Sequence, residues 1–352
     1  MTVIDKNKPV LVTGASGYVA GWIVKSLLDK GLTVHAAVRN PEARDKLRFL
    51  DLLADNAPGT IRYFKSDLLE QGSYDEAMEG CELVYHTASP FTLDVHDPQK
   101  DLVDPAKLGT RNVLETANRS HSVKRVVVTS SCAAIYGDNI DAEKVAGGIF
   151  TEDIWNTSSS LDHGAYSYSK TLAEKEAWSI SEKQSSWDLV VVNPSLVLGP
   201  AVNPLAVTSE SFRLVRQMGD GTMKAGVPMM GWGVIDVRDL ADIHYQAGFV
   251  PGAGGRYIAS GHNTTYFELV RALHNKFGEN YPLPKKELPK WLIWLIGPML
   301  NKALTRRFVT RNIGYKWKGD NSKSIRELHA AYRPLSETMI DMFQQLIDNK
   351  II

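Results

Sequence analysis

Short apolar runs alternate with longer stretches of helical periodicity along the first half of the chain. Pro9–Thr13, Leu32–Val38, Thr60–Lys65, Glu82–Thr87, Lys124–Thr129 and Asp188–Val192 read as strands. Between them Val19–Lys30, Pro41–Ala54, Ser73–Met78, Asp104–Asn118 and Tyr166–Ser181 carry helical patterns. Gly31 fits the C-terminal stop of the first helix, and Pro41 fits a first-turn position, where its missing N–H does no harm. Strands regularly separated by helices predict βαβ units and a doubly wound parallel sheet with helices on both faces. Val10–Val12 and Val126–Val128 are continuously apolar, as strands covered on both sides require.

After Pro200 the alternation breaks down, and Pro, Gly and Met become frequent. This predicts a sheet domain over residues 1–200 and a smaller mixed domain over 201–352, which would cover the substrate. Val234–Asp236 and Arg256–Ala259 are expected to return to the main sheet. Trp291–Leu300 is the most apolar late stretch, but Gly297 and Pro298 interrupt it and it is too short to span a bilayer. It reads as a buried helix or an apolar wall in preference to a membrane-surface element.

Composition narrows the function classes. Among 352 residues, Lys+Arg and Asp+Glu both count 40, which gives no electrostatic reason to expect nucleic acid or a membrane as partner. Two cysteines, Cys81 and Cys132, exclude a disulfide framework and favour a cytosolic setting. Met1–Pro9 has no apolar signal-peptide core.

The chemistry sits where strands end. The first strand runs into Thr13-Gly14-Ala15-Ser16-Gly17-Tyr18-Val19-Ala20, and a helix follows. Glycines at such a turn let the backbone approach a pyrophosphate, and the helix N-terminus offers free N–H groups and a positive dipole end. Thr13, Gly14, Ser16, Gly17, Tyr18 and Val19 are therefore candidate cofactor contacts, and Ala20 takes the third small position. Arg39 ends the second strand where an Asp or Glu would hold an adenosine ribose. A guanidinium there suits a 2′-phosphate and so NADP(H), with Lys46 as a second positive charge. Asp67 and Leu68, at the end of the third strand, lie where an adenine ring would be held. Tyr166 and Lys170 are four apart, hence on one helix face. A nearby ammonium stabilises a phenolate, so the expected effect is a lowered Tyr166 pKa. Upstream, Thr129-Ser130-Ser131 ends the fifth strand, and a serine there suits a hydrogen bond to a substrate oxygen that gains charge.

Taken together these segments resemble the extended short-chain dehydrogenase/reductases, within them the dihydroflavonol reductase, cinnamoyl-CoA reductase and yeast carbonyl reductase branch. The resemblance rests on Val12–Tyr18, Ala37-Val38-Arg39, Asp67-Leu68, His86-Thr87-Ala88-Ser89-Pro90, Thr129-Ser130-Ser131, Tyr166 with Lys170, Asn193-Pro194-Ser195 and Asp236–Asp239. It implies a Rossmann fold, NADP(H), and a Ser-Tyr-Lys triad in which Ser131 matches by its spacing to Tyr166 and Ser130 is the alternative. It further implies that Thr87, Ala88 and Ser89 line the nicotinamide ribose and that Pro194 and Ser195 approach the nicotinamide ring. The implied activity is reversible reduction of an aldehyde or ketone to an alcohol, by a monomer or homodimer. Sugar-nucleotide dehydratases of this superfamily carry an Asp-Glu pair where this chain reads Cys132-Ala133-Ala134. Sugar epimerases generally keep NAD tightly bound, against which Arg39 argues. A 3β-hydroxysteroid dehydrogenase fits the same triad, and redox-sensing regulators of this fold typically lose the Tyr or Lys that this chain keeps. Ala20 departs from the family's third glycine, and the C-terminal third matches only loosely.

Other signals carry weaker expectations. No histidine pair has metal-binding spacing, and His86 and His163 fall near the proposed site. Asp138–Ala142 reads as a solvated loop, and Cys132 as a buried small residue. Met218, Met223, Met229 and Met230 with Trp232 could form an adaptable apolar substrate wall.

Overall fold

The computed structural model describes residues 1–89, 95–203, 209–301 and 303–352. The first half forms β1 (Val10–Thr13), α1 (Tyr18–Asp29), β2 (Thr33–Val38), α2 (Arg44–Asp55), β3 (Thr60–Lys65), α3 (Asp75–Met78), β4 (Leu83–His86), α4 (Asp104–Arg119), β5 (Arg125–Thr129), α5 (Ala165–Ser181) and β6 (Asp188–Pro194). There follow β7 (Leu196–Leu198), α6 (Glu210–Gly219), β8 (Val227–Pro228), β9 (Gly231–Asp236), α7 (Val237–Phe249), β10 (Gly255–Ala259), β11 (His262–Thr265), α8 (Tyr266–Phe277), β12 (Glu287–Leu288), α9 (Lys290–Leu300), α10 (Arg306–Asn312), α11 (Ser322–Leu328) and α12 (Leu335–Asp348).

Seven strands form one parallel sheet in the order β10-β6-β5-β4-β1-β2-β3. Side chains alternate between its faces, and β1 shows the consequence. Val10 and Val12 join Ile23, Val24 and Leu27 of α1 and Leu240 and Ile243 of α7 in one core. Leu11 turns the other way, toward Val113 and Leu114 of α4 and Ala177 and Ile180 of α5. Burying one such side chain fully contributes about 1.5–3 kcal/mol, so a polar residue on either face of β1 would weaken one layer. Chain connection reverses direction between β1 and β4, and a crevice opens at the carboxyl ends of the strands there.

Arg256–Ala259 returns to the main sheet as β10, beside β6. Val234–Asp236 does not. It belongs to β9, in a second sheet of order β11-β9-β7, because β10 holds the edge next to β6. Trp317 is buried against β9, so close to Gly233 that any Cβ there would clash with its ring. A third core, built from Phe212, Val215, Leu269, Val270, Met339 and Phe343, joins α6, α8 and α12.

Three further expectations change. The second helix begins at Arg44 rather than Pro41, because the Asn40 side chain accepts from the Glu42 N–H (3.0 Å) and turns the chain first. Asp138–Ala142 is not a solvated loop: Asp138 is buried and accepts from Arg311 (2.5 Å), His163 (2.7 Å) and Asn312 (2.7 Å). The Trp291–Leu300 stretch is helical, with Ile293 and Gly297 buried and Trp291, Trp294, Leu295 and Met299 exposed. Among the described residues no helix is long and apolar enough to cross a membrane, and no His, Cys, Asp and Glu cluster could hold a metal.

Candidate active site

The switch point is laced by one hydroxyl. Thr13 Oγ1, buried at the end of β1, accepts from the backbone N–H groups of Thr87 (3.1 Å) and Ala88 (3.0 Å) and bonds His86 Nδ1 (3.1 Å). Gly14 follows with φ +63°, and a Cβ there would press to 3.0 Å on Ala88 Cβ, so only glycine fits without strain. A cleft of about 540 Å³ opens beside these residues, lined by Gly14, Ser16, Gly17, Val38, Arg39, Ser66, Asp67, Leu68, Thr87, Ala88 and Ser89 among others.

The residues present fit a dinucleotide. No side chain caps the α1 N-terminus, so its leading N–H groups remain for an anion. Ser66 Oγ is buried in the cleft wall without a hydrogen-bond partner among the described residues. Arg39 is exposed at the rim and makes no ion pair among the described residues. When bound, the dihydronicotinamide of such a cofactor supplies hydride.

Several candidates are held by contacts of their own. Tyr18 donates to the Gly199 carbonyl (2.6 Å) and packs edge-on against Phe212. Val19 packs on the α1 core, and Lys46 is exposed on α2 outside the lining. Pro194 is buried at the end of β6, and Ser195 is tied to β10 through Ala259 (N–H to O 3.0 Å). Pro90, in the His86–Pro90 segment, lies outside the described residues. Ser66, Leu69, Tyr74 and Asp101 complete the lining and carry no motif in the sequence.

The second half of the site comes from β5 and α5. Gly164, at φ +67°, turns the chain into α5, which places Tyr166 in its first turn. Ser131 stands in extended backbone just after β5 and hydrogen-bonds the Tyr166 phenol. Ser130 cannot do so as placed, since its hydroxyl is buried and donates to Glu174 (2.5 Å). The Lys170 ammonium lies 5.7 Å from the centre of the Tyr166 ring and donates to Ser89 Oγ (2.8 Å). Burial pushes Lys170 down to about 8. Tyr166 moves opposite to expectation: desolvation around its hydroxyl raises the phenol, although the residue as a whole is 41% exposed, and outweighs the Ser131 hydrogen bond, which lowers it. His86 is pushed down to about 3 by burial and by the Lys170 charge, so it stays neutral.

Glu174 lies two turns beyond Tyr166 on the same helix face. Only 1% exposed, it pairs with Arg256 (2.6 Å) and accepts from Asn193 (2.7 Å) as well as Ser130. One carboxylate thus ties α5 to the ends of β5 and β6 and to β10.

A separate cavity of about 160 Å³ is lined by Ala133, Tyr136, Gly137, Asn139, Ser167, Met230, Gly231, Trp232, Phe308 and Asn312. The expected methionine wall divides. All four of Met218, Met223, Met230 and Trp232 pack in the third core, and of these Met230 and Trp232 also line this cavity. His163 is held by Asp138. Cys132 is buried and forms no disulfide, its thiol pushed up by burial.

A profile of the NAD dependent epimerase/dehydratase family matches residues 10–253. A cinnamoyl-CoA reductase of Medicago truncatula is 40% identical over 292 residues, which cover 81% of this chain and 86% of the relative. A bifunctional dihydroflavonol 4-reductase/flavanone 4-reductase of Pyrus communis is 32% identical over 291 residues, 80% of each chain. The crystal structure of the yeast methylglyoxal/isovaleraldehyde reductase Gre2 complexed with NADPH superposes with a TM-score of 0.78 at 27% identity, over 97% of this chain and 99% of that one. With the switch-point cleft, the glycine turn and this extent of similarity, the chain belongs to the NAD dependent epimerase/dehydratase family, the extended short-chain dehydrogenase/reductases.

Proposed function

We propose that this chain is a cytoplasmic NADP(H)-dependent reductase that converts an aldehyde or ketone into an alcohol, reversibly, through Ser131, Tyr166 and Lys170. The observation that carries the reading is the Ser131–Tyr166 hydrogen bond, with Lys170 beside the ring and bonded to Ser89 of the cleft. In this reading Ser131 donates a hydrogen bond to the carbonyl oxygen and polarises it. Tyr166 transfers its proton to that oxygen as the carbon accepts hydride, and its phenolate recovers a proton from solvent. A phenol raised by desolvation around its hydroxyl stays protonated at neutral pH, which suits the donor role and the reductive direction. Lys170 stabilises the phenolate formed and holds the cofactor ribose. Arg39 and the uncapped N-terminus of α1 support the phosphate end, through the 2′-phosphate and the pyrophosphate respectively. Tyr136, Met230, Trp232 and Phe308 favour an aromatic or bulky apolar carbonyl, with Asn139 and Asn312 as polar contacts. The relatives named for cinnamoyl-CoA and dihydroflavonol are compatible with that class. The test is a panel of aldehydes, ketones and acyl thioesters followed by nicotinamide absorbance with NADPH and NADH. NADPH-dependent turnover of apolar carbonyls is expected. No turnover across the panel, with NADPH binding intact, would contradict the reading.

A further inference from the structure

From Trp291 onward helix α9 is apolar on every side, yet among its described side chains the buried ones lie on one side. Every residue from Trp291 to Leu300 is uncharged. Ile293 is buried against Val309 and Ile313, and Gly297 closely approaches Leu304. The opposite face presents Trp291, Trp294, Leu295 and Met299, of which Trp291 is 68% and Met299 86% exposed. At 100° per residue these four fall within less than half the helix circumference. Contiguous apolar surface of this kind marks a docking face.

Charge around the face says what it meets. The whole chain is neutral, but residues 285–307 hold six basic residues and one acidic one. Lys285 and Lys286 precede the helix and are exposed; Arg306 and Arg307 follow it and are exposed. Lys290 stands at its first turn, over the Tyr315 ring (4.7 Å), and Arg306 stacks on Trp294 (4.6 Å). None of these five makes an ion pair among the described residues. Cations thus flank both ends of a Trp- and Leu-bearing apolar face. An isologous contact between two copies would set the same cations against one another. An anionic bilayer surface complements them instead, with tryptophans at the headgroup level and the apolar face in the acyl boundary.

We propose that α9 and its flanking basic residues form an interfacial binding site for anionic lipid membranes, which seats the protein on the bilayer without crossing it. The cytoplasmic leaflet carries such negative charge. Binding is independent of the reductase reading and would stand without it.

The experiment is vesicle flotation of the full chain with liposomes of phosphatidylcholine alone and of phosphatidylcholine with about one-third phosphatidylserine. Binding to the anionic vesicles is expected to exceed that to neutral ones by more than tenfold, since each basic residue engaged contributes roughly fivefold, and to weaken as salt is added. Tryptophan emission should shift to the blue on binding. Lys285→Glu with Lys286→Glu, and separately Trp291→Glu with Leu295→Glu, should each abolish flotation. All four positions are surface or cleft-remote, so melting temperature and NADPH affinity should hold and serve as folding controls. No binding to either vesicle, equal binding to both, or binding that survives these substitutions would overturn the proposal. So would a dimer in solution that Trp291→Glu converts to monomer, since a second copy would then cover the face.

Discussion

Glu174 and Arg256 form an ion pair of 2.6 Å with both side chains buried, and it joins the helix that carries Tyr166 and Lys170 to the edge strand of the main sheet. Arg256 also donates to the carbonyls of Glu152 and Ile154, both at 2.7 Å, and stacks over Trp155. The pair therefore fixes α5 against the strand ends that supply Ser131.

Removing one partner strands the other charge in the interior. Glu174→Ala should destabilise the fold by about 3–5 kcal/mol, read as a lower denaturant midpoint. Replacing both partners by apolar residues of similar volume should recover much of that loss. A Glu174→Ala protein as stable as the parent would show that the pair does not hold α5.

Lys170 links pH to stability. Its native value of about 8 lies below the ordinary 10.5. Between these two pH values the unfolded chain binds the extra proton, so stability rises with pH across that window. The penalty of burying the charged ammonium is complete below about pH 8. Lys170→Met should consequently raise the melting temperature of the cofactor-free protein at pH 7, with the advantage shrinking toward pH 10. A lower melting temperature at pH 7 would mean that the Ser89 hydrogen bond outweighs burial.

Arg39 should choose between cofactors. A charge-assisted hydrogen bond to the 2′-phosphate contributes about 1.5–3 kcal/mol, or roughly ten- to 150-fold in affinity. Exposure at the rim places Arg39 toward the lower end. Arg39→Ala is expected to raise the Michaelis constant for NADPH and leave that for NADH nearly unchanged. Equal losses with both would assign Arg39 to loop structure.

The strand-turn-helix frame was legible because it rests on local signals: apolar runs, the glycine turn at Gly14 and the four-residue spacing of Tyr166 and Lys170. What the sequence hid depends on distant partners. Glu174 looks like an ordinary helix-surface carboxylate until Arg256, 82 residues on, is brought against it. Asp138 looks solvated until Arg311 arrives from 173 residues away. The fall of Tyr166 expected from Lys170 rested on the four-residue spacing alone; the ammonium lies 5.7 Å from the ring centre, and desolvation around the hydroxyl raises the phenol instead. An apolar run without periodicity cannot reveal which side of α9 is covered. A net charge of zero likewise averages away the basic segment around it.

The central claim is that Tyr166 gives its proton to the reacting oxygen. Phenylalanine keeps the ring and removes only that proton, so Tyr166→Phe should be compared with the parent in single-turnover oxidation of bound NADPH by a carbonyl that the parent reduces. A rate lower by roughly a hundred- to ten-thousand-fold, the range for a lost acid–base group, with NADPH affinity unchanged, is the expected result. A single-turnover rate equal to the parent's would contradict it.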